Sequence, residues 1–323
     1  MRTCAIGILG GADIAVKRFL PALQLCEGAE FAGVASRDSE KAKSICDRFG
    51  GKAYENYDAL LADEAIDAVY LPLPPSLHFD WAMRALEQGK HVFLEKPATV
   101  SPEQAEALLN KAEQKHLAVL ENYAFLYHSQ LSAFRSRIEN GRIGAVQSYD
   151  IRFGFPHRAA NDFRYDAAMG GGALLDCGGY CIRLASELLG ESCRLLGGDW
   201  SVSEQEGVDL FGSALYENER HVFAQVSFGM AHAYQCQVQA WGSGGLLAAP
   251  RIFTAPPDFS PVLLETVDSA QSVIELPADN QFLRATERFL AGIKDDRLQQ
   301  DMRREIRTQS QLVDEFRARC AGK

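Results

Sequence analysis

The sequence predicts a two-domain α/β protein: a parallel sheet wrapped by helices over residues 1–122, then an α/β domain with a large, mostly antiparallel sheet over 123–323. Three observations carry this. Short, fully apolar runs alternate with amphipathic stretches up to about residue 120, as when strands are buried on both faces between crossover helices. Beyond residue 123 apolar residues alternate with polar ones along longer segments, the mark of strands with one covered face. And 323 residues exceed one ordinary hydrophobic core.

In the first domain residues 4–9, 31–34, 68–71, 92–94 and 118–120 read as strands. Residues 14–25, 38–49 and 78–88 read as helices, the last stopped by Gly89. A further helix starts at Ser101, with Pro102 next and Gln104 three on, a capping-box arrangement. In the second domain residues 147–155, 195–202, 208–216, 221–228, 234–241 and 263–276 read as strands. Glu217-Asn218-Glu219 and Gly242-Ser243-Gly244-Gly245 supply turns, and helices over 280–293 and 298–319 end the chain.

Composition excludes several classes of function. With 47% hydrophobic and 24% charged residues the chain has the balance of a soluble enzyme. A net charge of −10 argues against nucleic acid or an anionic membrane as a partner. No stretch has the roughly 20 apolar residues of a membrane span, and the chain opens without the apolar core of a signal peptide. Eight cysteines lie scattered without a C-x-x-C pair, so reduced thiols in a cytoplasmic protein are expected. Cys177 and Cys181 lack the His or carboxylate company of a metal site, and no metal is expected.

Between the first strand and first helix lies Gly10-Gly11-Ala12-Asp13-Ile14-Ala15. Small residues at such a turn let backbone amides approach a pyrophosphate seated at the helix N-terminus. The fingerprint G-x-G-x-x-G/A aligns with Gly10, Ala12 and Ala15, so its second glycine is missing; a generic tight turn is the plain alternative. The second strand leads into Ser36-Arg37-Asp38. An acidic residue first in line would hold the ribose hydroxyls of NAD, whereas arginine accommodates the 2′-phosphate of NADP. Ser36 and Arg37 come first, with Lys41 a helical turn on, and Asp38 is placed to cap the next helix. NADP(H) is the expected cofactor, with NAD(H) the alternative.

At the end of the strand around residue 93 stands Glu95-Lys96-Pro97, a lysine at the mouth of a parallel sheet, where such sheets bind ligands. With the glycine turn, Ser36-Arg37, the run Leu71-Pro72-Leu73-Pro74-Pro75-Ser76-Leu77-His78 and the stretch 170–180, this resembles the Gfo/Idh/MocA family of nicotinamide-dependent oxidoreductases over nearly the whole chain. The resemblance implies a Rossmann domain followed by a domain whose large sheet supports a homodimer or homotetramer. It implies that Lys96 sits beside nicotinamide and substrate, that Leu71, Pro72, Pro74 and His78 border the cofactor, and that Glu95 and Asn122 lie with them. A cis Lys96–Pro97 bond is also implied.

Many relatives carry a histidine four residues after the aspartate of the second-domain motif; here Asp176 is followed by Tyr180. The stretch 121–130 and the run from Leu71 to His78 look like NADPH-dependent sugar 3-ketoreductases acting on nucleotide-linked sugars. The tyrosine is also shared by dihydrodiol and pyranose dehydrogenase relatives. Hydride addition to a ketone needs a proton and a stabilising charge at the oxygen. Lys96 and Tyr180 are the expected catalytic residues, and Asp176, His128 and Tyr180 the expected substrate contacts. Asp176 as a helix cap and His128 as a packing histidine are the plain alternatives. An NADP-dependent dehydrogenase of free aldoses or trans-dihydrodiols is the competing activity, and a cofactor-binding regulator without catalysis the third reading.

Overall fold

The computed structural model describes residues 3–159 and 162–321. It divides into two compact units: the chain up to Asn122 together with Phe282–Ser310, and Tyr123–Gln281 with the chain from Gln311 on.

The first unit is a six-stranded parallel sheet. Its strands are β1 (Cys4–Leu9), β2 (Ala29–Ala35), β3 (Lys52–Tyr54), β4 (Ala68–Leu71), β5 (His91–Glu95) and β6 (Val119–Asn122), in the order β3-β2-β1-β4-β5-β6. Strand order reverses between β1 and β4, the switch point at which open α/β sheets bind ligands. The core strands are apolar because both faces are covered: Ile6, Ile8, Val69, Tyr70, Phe93 and Leu94 are fully buried. The first crossover is a π-helical turn, Ala15–Phe19, running into α1 (Leu20–Leu23). Next come α2 (Ser39–Phe49), α3 (Tyr57–Leu61), α4 (His78–Glu87) and α5 (Pro102–Lys115). The caps are those the side chains dictate. Asp38 accepts from the Lys41 N–H at the start of α2, and Ser101 accepts from the Gln104 N–H at the start of α5. β3 and α3, three and five residues long, are too short to stand out in the sequence.

The second unit holds α6 (Ser129–Glu139), β7 (Val146–Gly154), α7 (Gly179–Leu189) and β8 (Arg194–Val202), then β9 (Asp209–Glu217), β10 (Phe223–Gly229), β11 (Gln235–Gly242), β12 (Gly245–Ala249), β13 (Val262–Val267) and β14 (Ala270–Glu275). The eight strands run β14-β13-β12-β11-β7-β10-β9-β8, antiparallel except where β7 pairs parallel with β10. The alternation places Tyr149, Ile151 and Phe153 of β7 in register with Ala240, Val238 and Cys236 of β11, all buried. The opposite face carries Asp150, Arg152, Gln237, Gln239 and an exposed Trp241. Residues 263–276, read as one segment, are the hairpin β13–β14. Asp268 (φ 49°) and Ser269 (φ 64°) form its two-residue turn, the left-handed pair that two-residue hairpins favour. β12 begins inside the glycine stretch read as a turn.

The C-terminal helices α8 (Gln281–Lys294) and α9 (Asp296–Ala321) depart from the boundary drawn at residue 123. Phe289 packs against Phe93 with ring centroids 5.2 Å apart, Ile306 joins the first unit's core, and Arg307 pairs with Glu106 at 2.8 Å. Further along α9, Phe316 packs on Trp200 and Phe228 of the second unit's sheet. No helix among the described residues is long and apolar enough to cross a membrane.

Candidate active site

The glycine turn follows β1 directly. Gly10 has φ +107°, a left-handed-side conformation that side chains disfavour, and a Cβ there would meet Leu73 Cδ2 at 2.8 Å. A Cβ on Gly11 would press on Lys41 and Ile45 at 3.2 Å. Ala12 is partly exposed, Ala15 is buried, and Ile14 is already helical at φ −63°. Asp13 is exposed and pairs with Lys17 at 2.6 Å, which lowers its carboxyl pKa. At the end of β2, the Ser36 hydroxyl accepts from the Asp38 N–H, and Asp38 itself is committed to the cap of α2. Arg37 and Lys41 are exposed, and neither makes an ion pair among the described residues. The turn therefore fits a dinucleotide pyrophosphate: a bare backbone cradle at a helix start, flanked by cations without a carboxylate partner.

The β4–α4 loop leaves Leu71 and Pro72 buried and Pro74 partly exposed, opening a short 3-10 turn over Pro75–Leu77. His78 sits between two backbone carbonyls. It is fully buried, with Nδ1 2.7 Å from the Pro97 carbonyl and Nε2 2.8 Å from the Leu73 carbonyl. Burial pulls its pKa down to about 4, so at neutral pH the single N–H serves one of these carbonyls. The ring fills the space between the loop and the turn that bears Lys96.

That turn leaves β5 through a cis Lys96–Pro97 bond. Lys96 is partly exposed. Behind it Glu95 Oε1 accepts from the Tyr70 hydroxyl at 2.6 Å and from the Asn122 amide at 2.7 Å. Burial pushes the Glu95 pKa up, opposed by those two hydrogen bonds and the Lys96 cation. Asn122 is 1% exposed, and its Oδ1 is buried without a hydrogen-bond partner among the described residues. An orphaned acceptor beside a lysine at the sheet's open end suits a ligand amide, and so also fits a nicotinamide.

In the second unit a π-helical turn, Leu174–Gly178, leads into α7 and delivers Asp176 and Tyr180. Gly178 gives the Phe228 ring room, since a Cβ there would lie 3.0 Å from it. Asp176 is inside this helical turn and is not its cap. Arg164 Nε donates to Asp176 Oδ2 at 2.7 Å, and the same guanidinium binds Asp162 at 3.0 Å. The capping carboxylate is Asp209, whose Oδ2 accepts from the Leu174 N–H at 2.6 Å. Burial pushes the Asp209 pKa up to about 6. Tyr180 lies among four aromatic rings, Tyr123, Phe125, Phe153 and Phe253, at centroid distances of 5.2–5.8 Å.

His128 caps the start of α6, and its Nε2 is buried without a hydrogen-bond partner among the described residues. The ring is fully buried and its Nδ1 accepts from the Gln130 N–H at the start of α6. Sequence reading also missed Arg164 and Asp209, which lie 12 residues before and 33 after Asp176 with no local motif to mark them. Cys177 and Cys181 are buried thiols directed to the carbonyls of Ala173 and Ser227.

Residues 4–123 match the model of the Gfo/Idh/MocA oxidoreductase family with an NAD-binding Rossmann fold, and residues 131–248 match that of the Gfo/Idh/MocA C-terminal domain. The chain belongs to this family and is an NAD(P)-dependent oxidoreductase. It is 43% identical to the dTDP-3,4-didehydro-2,6-dideoxy-alpha-D-glucose 3-reductase of Streptomyces violaceoruber, over 91% of this chain and 86% of that protein. It is 32% identical to D-xylose 1-dehydrogenase (NADP(+)) 2 of Haloferax volcanii, over 89% and 88%. The crystal structure of a 3-ketoreductase from Actinomadura kijaniata in complex with NADP and TDP-benzene superposes with a TM-score of 0.93 at 37% identity, covering 99% of this chain and 98% of that one.

Proposed function

We propose that the protein reduces the 3-keto group of a nucleotide-linked deoxysugar with NADPH. The observation that carries this is the seat of Lys96: a cation on a fixed turn, at the open end of the parallel sheet, backed by a buried carboxylate. Arg37 at the end of β2, without an ion pair among the described residues, supports NADP(H) over NAD(H), as does the NADP held by the similar 3-ketoreductase. The dTDP-sugar reductase named among the relatives supports the substrate class.

When bound, the cofactor supplies the hydride that adds to the carbonyl carbon. The carbonyl oxygen then gathers negative charge and takes up a proton, leaving a secondary alcohol. Lys96 contributes positive charge and N–H donors, and Tyr180 contributes an O–H on a ring whose aromatic surroundings restrict it. These two groups are the proton donors on this reading. Asp176, fixed by Arg164, presents a carboxylate to sugar hydroxyls. Gly10, Gly11, Ala12, Asp13, Ile14, Ser36, Arg37 and Lys41 hold the dinucleotide phosphates and adenosine, and Glu95 and Asn122 form the wall behind Lys96.

Lys96→Met tests the reading: turnover should fall by on the order of 10²–10⁴-fold while NADPH binding is kept. Unimpaired turnover in that variant removes the assignment. The second reading, oxidation of a free aldose, is favoured by the likeness to the xylose dehydrogenase. Comparing kcat/KM for dTDP-ketosugars with that for free aldoses and diols separates the two. The open sheet face bearing Trp241 and Phe211 fits a homodimer or homotetramer, and eight free cysteines fit a reducing, cytoplasmic setting. Light scattering that returns a single-chain mass removes the oligomer from this reading.

A further inference from the structure

The rim of the glycine turn carries a group that no motif singled out. Tyr57 opens α3, whose N-cap is Asn56. Its ring packs edge-on against Trp81, with centroids 4.8 Å apart and planes at 88°, and the Arg84 guanidinium covers Trp81 at 4.7 Å. The ring is thus held in place. Its hydroxyl lies 3.7 Å from the point a Cβ on Gly10 would occupy and makes no hydrogen bond among the described residues. Leu73 stands 2.8 Å from the same point, so the hydroxyl and an apolar wall face each other over the turn. Arg37 is near enough for its charge to oppose the rise in phenol pKa that burial causes.

A half-buried phenol without a partner and a guanidinium without a carboxylate therefore share the rim of the turn. An O–H and a fork of N–H donors suit a doubly charged phosphate monoester, which offers three acceptor oxygens. The guanidinium suits a plain ribose diol less well, because it has no acceptor to offer the diol's hydroxyls. We infer that Tyr57 is a second determinant of phosphate recognition at the adenosine end of the cofactor, donating its hydroxyl to the 2′-phosphate that Arg37 also holds. The inference rests on the NADP(H) reading above. Fixing the ring against Trp81 removes the rotamer cost of that contact.

The test is equilibrium binding without turnover. Dissociation constants for NADPH, NADH and adenosine 2′,5′-bisphosphate are measured by calorimetry for the wild type, Tyr57→Phe, Arg37→Ala and the double variant. Tyr57→Phe should weaken NADPH and the bisphosphate by about tenfold or more, as befits a hydrogen bond to a charged group, and leave NADH within about twofold. The double variant should lose less than the product of the two single losses, since both groups hold one phosphate. Unchanged NADPH binding, or an equal loss for NADH, overturns the role of Tyr57. Tyr57→Leu repeats the comparison if the phenylalanine variant folds poorly, and equal losses there for NADPH and NADH count against the role in the same way. A wild type that binds NADH as tightly as NADPH defeats the NADP(H) reading itself, a result visible before any variant is made.

Discussion

Lys96 and Tyr180 are held by opposite kinds of force. Lys96 leaves a parallel strand through a cis peptide bond, with hydrogen bonds and charge behind it: Tyr70 and Asn122 on Glu95, and His78 between two carbonyls. Tyr180 leaves a π-helical turn into a helix, and four aromatic rings pack against it. Polar networks are sensitive to protonation and to the loss of a single partner, whereas packed rings are sensitive to volume. The two candidate proton donors should therefore fail in different ways.

The largest contrast is in activity. Lys96→Met removes a partly exposed cation, so its expected loss of on the order of 10²–10⁴-fold in turnover should come with little change in thermal stability. A large fall in melting temperature would show that Lys96 holds its turn together and would break the comparison. On the other side, Phe253→Ala should cost about 3–5 kcal/mol of stability, because a ring that is 1% exposed and touches Phe125, Phe153 and Tyr180 leaves a cavity. Denaturant unfolding measures it. A cost below about 1 kcal/mol would mean that the aromatic cluster does not fix Tyr180.

Arg164→Ala asks whether the Tyr180 side is held by packing alone. It leaves Asp176 and Asp162 without their shared cation, at a cost of about 1–3 kcal/mol, reduced from the fully buried case because the Arg164 side chain is 21% exposed. KM for the sugar should rise more than that for NADPH, and equal effects on both would remove Asp176 from the substrate contacts.

The smallest effect concerns pH. Asp209 caps the helical turn that bears Asp176, and burial raises its pKa from 3.8 to about 6. The folded state thus binds this proton more tightly than the unfolded chain. Its contribution to stability is complete below about pH 4 and is lost as the pH rises through about 6. Between those limits the wild type should lose about 1–2 kcal/mol that Asp209→Asn does not lose, read from unfolding curves at stepped pH. Parallel slopes in the two proteins would place the titrating group elsewhere.

Much of this could be read along the chain. The caps Asp38 and Ser101, the alternation of β7 and β11, and the Glu95-Lys96-Pro97 turn all announce themselves within a few residues. Their causes are local: side-chain hydrogen bonds to nearby amides, the period of a pleated strand, the fixed φ of proline. The β13–β14 hairpin was missed although Asp268-Ser269 is turn chemistry, because no glycine marks it. His128 stayed open between packing and substrate contact because a histidine cap and a histidine ligand look alike in a sequence.

The sequence by itself determined the fold class and the family, and it marked Lys96, Tyr180, Asp176 and Arg37 as candidates. These rest on periodicity and short motifs, which neighbouring residues encode together. Only the tertiary structure decided that α8 and the first turns of α9 join the parallel-sheet unit, that β7 pairs parallel with β10, and that Asp209 caps the turn before Tyr180. It alone set Arg164 on Asp176 and the Tyr57 hydroxyl over Gly10. Each of these joins residues far apart in the chain, and such contacts form only when hydrophobic burial has brought whole elements together.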